Sequence, residues 1–159
     1  MAHSKQPRWN PDAGPAGNAR EHLPRLAEEY FAEVRKALAR DPTPAQLHRV
    51  RLLSKRFRYT LELFRPCYAA GLRTRIAALK QIQDLLGECN DAVASLPRIE
   101  AALRRPAEKA RMRQYLEDLA AAKAAAFRKH WIEDFDAEGR ERWWTVYLAR
   151  NARAPLRAK

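Results

Sequence analysis

From residue 20 onward the only glycines are Gly71, Gly87 and Gly139, alanine and leucine are abundant, and β-branched residues are scarce. Such a chain has little reason to leave the helical region of backbone space, and no alternating strand pattern competes with it. The predicted fold class is all-α. The first predicted helix covers residues 20–40, with Leu23, Leu26, Tyr30, Val34 and Leu38 at helical spacing and Pro24 tolerated in its first turn. Asp41-Pro42-Thr43-Pro44 ends it and caps a second helix that runs to Arg65, before Pro66. A third is expected over 69–86, closing at Gly87, and a fourth over 90–104, with Pro97 kinking it or marking its start. A long alanine-rich fifth is expected over 106–135, and a short sixth after Gly139 carries Trp143, Trp144, Tyr147 and Leu148. Short connections between five to six such helices predict an antiparallel bundle over 20–150. Residues 1–19, with Pro7, Pro11, Pro15, Gly14 and Gly17 and almost no aliphatic side chains, read as a flexible N-terminal arm. Residues 151–159 read as a basic C-terminal tail.

With 159 residues, 47% of them hydrophobic, the chain has enough apolar material for one domain with a real core. Its 31 Lys+Arg against 19 Asp+Glu leave a net charge of +12, which calls for an acidic partner: nucleic acid, anionic lipid or another polyanion. No run of about 18 apolar residues predicts a membrane span, and no hydrophobic signal core opens the chain. Two cysteines, Cys67 and Cys89, are too few for a disulfide scaffold and fit no zinc spacing, so a reducing compartment, the cytoplasm, is expected.

The surplus charge is uneven. Residues 41–66 hold six Lys/Arg against two Asp/Glu. At about 100° per residue, Leu47, Val50, Ser54, Phe57, Leu61 and Phe64 form one core-facing stripe of the second helix. His48, Arg51, Lys55, Arg58, Glu62 and Arg65 follow the same spacing one residue later, making a cationic stripe. Leu52, Tyr59 and Leu63 border it on the far side, which leaves Arg49, Leu53 and Thr60 as the face expected in water. Like charges three and four residues apart destabilise a helix, and partly buried unpaired cations destabilise it more. Glu62 can pair with Arg58 or Arg65 but cannot also neutralise Arg51 and Lys55. The stripe therefore predicts an external anion, and its repeat of about 5 Å is close to the reach between alternate phosphates of a linear chain.

The segment Leu47-His48-Arg49-Val50-Arg51-Leu52-Leu53-Ser54-Lys55-Arg56-Phe57-Arg58-Tyr59-Thr60-Leu61-Glu62-Leu63-Phe64 resembles the signature helix of the CHAD (conserved histidine α-helical) domain, with His48, Arg51, Lys55, Arg58, Tyr59 and Glu62 in register. A second block over 79–91 resembles the helix and turn that follow, with Gln83, Gly87 and Asp91 in place. The resemblance extends over about residues 44–135. It implies two similar helical bundles around a basic cavity that binds inorganic polyphosphate without known chemistry, often at polyphosphate granules. Carried onto this chain, it makes His48, Arg51, Lys55 and Arg58 phosphate contacts, with Lys80 and Arg73 extending the surface. Tyr59, Glu62 and Gln83 take supporting roles. The chain resembles the second bundle only, one half of the usual architecture. A homodimer restoring the two-bundle cavity is the corresponding expectation, with Leu52, Tyr59 and Leu63 or the Trp143–Trp144 pair as contact.

The leading expectation is thus a non-catalytic polyphosphate-binding module, with no cofactor. A nucleic-acid-binding helical protein is the alternative, since Arg150, Arg153, Arg157 and Lys159 could grip a backbone, but no zinc finger, recognition helix or RNP-type strand is present. An enzyme is not expected: His3, His22, His48 and His130 show no metal-ligand spacing, and no GxxxxGK loop occurs. Cys67 and Cys89 read as small buried hydrophobes.

Overall fold

A computed structural model describes residues 8–154. Five α-helices carry the fold: α1 (Gly14–Leu38), α2 (Pro44–Leu63), α3 (Ala70–Ala102), α4 (Pro106–His130) and α5 (Arg140–Arg150). Short 3-10 turns occupy Pro11–Ala13 and Arg65–Cys67, and a π-helical turn, Trp131–Phe135, ends α4. Helices α5, α1, α2, α3 and α4 pack side by side in that order. No strand occurs among the described residues.

Local chemistry explains where α2 starts. Thr43 caps it reciprocally with Gln46: the Thr43 hydroxyl accepts from the Gln46 N–H at 3.3 Å, and the Gln46 side chain accepts from the Thr43 N–H at 2.8 Å. Pro44 sits at the first turn, where no donor is needed. Leu47, Val50, Ser54, Phe57 and Leu61 are buried, as the wheel required. Buried Ser54 donates its one proton to the Val50 carbonyl at 2.9 Å, so the Tyr30 hydroxyl donates to Ser54 at 2.8 Å and ties α1 to α2. Around this pair the rings of Tyr30, Phe31, Phe57, Trp131, Phe135 and Trp144 form one aromatic cluster, with centroid separations from 4.9 to 6.3 Å. Arg35 locks its edge, pairing with Asp136 at 2.5 Å and Glu141 at 2.6 Å.

Three expectations are corrected. Residues 14–19 belong to α1, and Ala16, Asn18 and Ala19 are buried, so the described part of the expected arm is built into the fold. Asn18 is the cause: it accepts from the Asn10 N–H at 2.8 Å and donates to the carbonyls of Asn10 and Gly14 at 2.7 Å each. Trp9 also stacks on Phe64. Residues 1–7 lie outside the described residues. Replacing Asn18 with Ala leaves the Asn10 N–H without a partner and removes the second donor from the carbonyls of Asn10 and Gly14. The expected result is a loss of about 1–3 kcal/mol in chemical denaturation, with faster proteolysis before Gly14.

The third and fourth predicted helices are a single α3, which passes through Gly87 and Pro97 without a break. A mid-helix Gly costs about 1 kcal/mol and a Pro about 3. Burial of Leu86, Cys89 and Ala92, together with the long antiparallel pairing of α3 with α4, outweighs both. The fifth predicted helix runs as expected to His130 and then widens into the π turn. Of the tail, Ala152 is buried and the Arg153 N–H donates to the Cys67 carbonyl at 2.8 Å. Arg157 and Lys159 lie outside the described residues. Cys67 and Cys89 are buried free thiols, and burial pushes both pKa values up. Gly71 is required by close approach, since a Cβ there would come within 2.7 Å of the Tyr147 ring.

Candidate functional site

Helices α2 and α3 cross the bundle face antiparallel, and their register follows from one contact. His48 Nδ1 lies 2.7 Å from Asn90 Oδ1, so the start of α2 meets the far part of α3. The carboxamide oxygen accepts, which makes Nδ1 the donor and leaves Nε2 of this exposed histidine free for another partner. One helical turn on, Arg51 and Lys55 form one wall of an open groove of about 460 Å3, with Gln83, Asp84, Gly87, Glu88 and Asp91 opposite. The same register carries Arg58 to the level of Lys80, and Arg65 lies past the end of α2 in the turn Arg65–Cys67. Lys80 and Arg73 are exposed on α3.

The row is half-buried. The Arg58 side chain is 18% exposed and lies 3.7 Å from Glu62. Its guanidinium also sits 4.8 Å from the centroid of the Tyr59 ring, which Lys55 Nζ approaches at 6.0 Å. Tyr59 and Glu62 thus touch the cations they were expected to support. Among the described residues no carboxylate comes within 4.0 Å of Arg51 or Lys55. The Nε atoms of Arg51 and Arg58 and the Gln83 amide nitrogen are buried without a hydrogen-bond acceptor. Buried donors left this way carry a penalty of about 1–3 kcal/mol each until an acceptor arrives. Arg51 Nε lies over Gly87, 3.9 Å from where a Cβ would be.

Two features were not read from the sequence. Asp84, Glu88 and Asp91 recur on one face of α3 and enter the groove. Glu88 is engaged by Lys123 of α4, while Asp84 and Asp91 have no cation within 4.0 Å among the described residues. Positive charge is therefore diluted beside Arg51 and concentrated toward Arg58, Arg65, Lys80 and Arg73. The recurrence of the acids was visible on the α3 wheel, but only the register shows which helix they face.

The water-facing side of α2 also differs from expectation. Leu53 packs against the core, and Arg49 reaches Glu33 of α1 at 3.8 Å. Leu52, Tyr59 and Leu63 are the open edge, 49%, 47% and 79% exposed. The wheel identified the stripes but not which flank α1 covers. Trp144, at 1% exposure, belongs to the core and is no surface contact.

Comparison with protein families matches residues 2–100 to the CHAD domain, more than half of the chain. The chain belongs to the CHAD domain family. The match takes in α1, α2 and nearly all of α3, hence both the cationic row and the α3 face opposite it. It begins well before residue 44 and ends short of 135, so α4 and α5 complete the core of this CHAD chain from outside the matched region. No curated protein and no solved structure matches the chain.

Proposed function

We propose that this CHAD chain binds inorganic polyphosphate, or a similarly phosphate-rich linear anion, without transforming it. The observation that supports this most directly is the half-buried row Arg51, Lys55 and Arg58, in which the Nε donors of Arg51 and Arg58 are buried without an acceptor and neither Arg51 nor Lys55 has a carboxylate within 4.0 Å among the described residues. Phosphate oxygens supply acceptors along a line, and arginine forks and lysine ammonium groups are the side chains that take them. His48 Nε2 extends the row at one end, and Lys80, Arg65 and Arg73 at the other. Tyr59 and Glu62 hold Arg58, and Gln83 adds an amide donor from α3. No helix among the described residues is long and apolar enough to cross a membrane, which fits a ligand met in solution or at polyphosphate granules in the cytoplasm.

The test compares long-chain polyphosphate with single-stranded and duplex DNA at equal phosphate concentration. Polyphosphate binding that is tightest and falls steeply with salt supports the proposal. Equal binding of all three would leave only general electrostatic attraction. The acids of the groove give a second, signed expectation. Asp84→Asn/Asp91→Asn removes two repulsive charges beside Arg51 and Lys55 and should tighten polyphosphate binding several-fold, as a titration at fixed salt would show.

The open edge Leu52, Tyr59 and Leu63 is the surface proposed for a second copy. Two copies meeting there bring their cationic rows together, so association requires a polyanion between them. Light scattering should give a monomer alone and a dimer with a short polyphosphate. A monomer under both conditions would remove the dimer and leave the binding row intact.

A further inference from the structure

The opposite flank of α3 borders a second cavity. Thr74, Ala78 and Gln81 lie about 100° around α3 from the core-facing residues, on the side away from the Lys80–Asp91 face. Between them, the π turn and α5 is a cavity of about 400 Å3, reached by His130, Phe135, Arg140 and Trp143. Its size suits a small ligand, and its lining combines aromatic surface with a few convergent polar groups.

The polar groups are held in place. Arg140 donates its Nε–H to the Asp134 carbonyl at 3.1 Å, and its guanidinium carbon sits 4.9 Å from the Trp143 ring centroid. One nitrogen and the plane are thereby positioned, while the terminal amino groups carry no bond to the protein among the described residues. A flat guanidinium fixed in this way is a fork for a carboxylate or phosphate. His130 holds the Asp134 carboxylate at 2.8 Å through Nδ1, so that acid is already engaged, and the buried Nε2 of His130 has no partner.

Asp134 lines the cavity and is the one carboxylate in its lining. Arg75 is buried at 2% exposure with its guanidinium carbon 3.4 Å from the Trp143 ring centroid and 3.8 Å from that of Tyr147. It donates to the carbonyls of Trp143 and Gly71, at 2.6 and 3.1 Å, and meets no carboxylate within 4.0 Å. Burial pushes its pKa down to about 10, so it remains a cation at neutral pH. The Trp143 indole thus has guanidinium groups from both Arg75 and Arg140 against it.

We infer that this cavity binds a small planar anion, an aromatic or heteroaromatic ring carrying one carboxylate or phosphate. The anionic group sits on Arg140, the ring extends between Ala78 and the edge of Trp143, and Thr74, Gln81 and His130 Nε2 meet polar atoms on the ring. This site shares no lining residue with the groove beside Arg51 and Lys55.

Indole 15N–1H NMR of the full chain tests it, with adenosine 5′-monophosphate and benzoate as the two ring-plus-anion probes. Inorganic phosphate and benzamide serve as the separate halves. The expected result is a saturable shift of the Trp143 indole signal with at least one ring-plus-anion probe. Either half alone should be roughly tenfold weaker, and Arg140→Gln should weaken the probe by roughly tenfold with unchanged melting. Arg51→Glu/Lys55→Glu should leave it unaltered. No saturable shift up to about 10 mM probe, which corresponds to under about 3 kcal/mol of binding, would overturn the inference. An undiminished shift in Arg140→Gln would overturn it too, as would a shift abolished by the groove variant.

Discussion

Arg51→Glu/Lys55→Glu should reduce polyphosphate affinity by at least about a hundredfold while leaving the melting temperature nearly unchanged. Each lost contact between a cation and a phosphate removes about 1.5–3 kcal/mol, and two such losses exceed two decades in affinity before repulsion from the new carboxylates is counted. The fold is spared because neither side chain is in an ion pair and both sit at the rim of the core rather than in it. The slope of log affinity against log salt should also fall, by roughly 0.7–0.9 per phosphate contact removed. Fluorescence titration at several salt concentrations measures both. Loss of affinity with an unchanged salt slope would indicate damage to the groove rather than removal of phosphate contacts.

Trp144→Ala should have the largest effect on stability, about 3–5 kcal/mol in urea denaturation. Its ring is 1% exposed and packs 5.5 Å from Phe57, 5.4 Å from Phe135 and 6.3 Å from Phe31, joining α5 to α1, α2 and the π turn. Truncation leaves a cavity that four elements line and none can collapse into. Leu63→Ala, on the open edge of α2, should change stability by under about 0.5 kcal/mol. The contrast separates a core tryptophan from an exposed leucine, two environments between which the amino-acid sequence alone did not choose.

The sequence was most informative where one helix decides its own environment. The 3,4 spacing of Leu47, Val50, Ser54, Phe57 and Leu61 placed the buried face of α2 correctly, and Arg51 and Lys55, one residue later, border the groove between α2 and α3. Local turn chemistry was equally readable at Thr43 and Gln46. What was not readable depends on contacts distant in sequence. Gly87 and Pro97 are helix breakers by propensity, yet packing of α3 on α2 and α4 carries the helix through them. Asn18 orders a proline-rich segment with one side chain, which composition does not register. Leu53 lies about 70° around α2 from its buried stripe and Leu52 about 170°, a difference that hydropathy alone does not register. The acids opposite the cationic row become part of the site only through the register that joins His48 to Asn90.

These acids bear on how the row works. With Asp84 and Asp91 in the groove and no cation within 4.0 Å of either among the described residues, the positive field near Arg51 is weaker than the row alone would produce, and on the proposed reading an anion is drawn toward Arg58, Lys80, Arg65 and Arg73. Arg51 and Lys55 are then the inner contacts and the basic end of the α2–α3 seam the outer ones. From His48 to Arg58 the row spans about 15 Å, enough for several consecutive phosphates of one linear chain.

A crystal structure of the chain with a short linear polyphosphate examines this directly. The account predicts consecutive phosphates along the α2–α3 seam, with the orphaned donors of Arg51, Arg58 and Gln83 accepted by phosphate oxygens and Lys55 alongside. Phosphate bound elsewhere, with Arg51 and Lys55 turned onto Asp84 and Asp91, would contradict it.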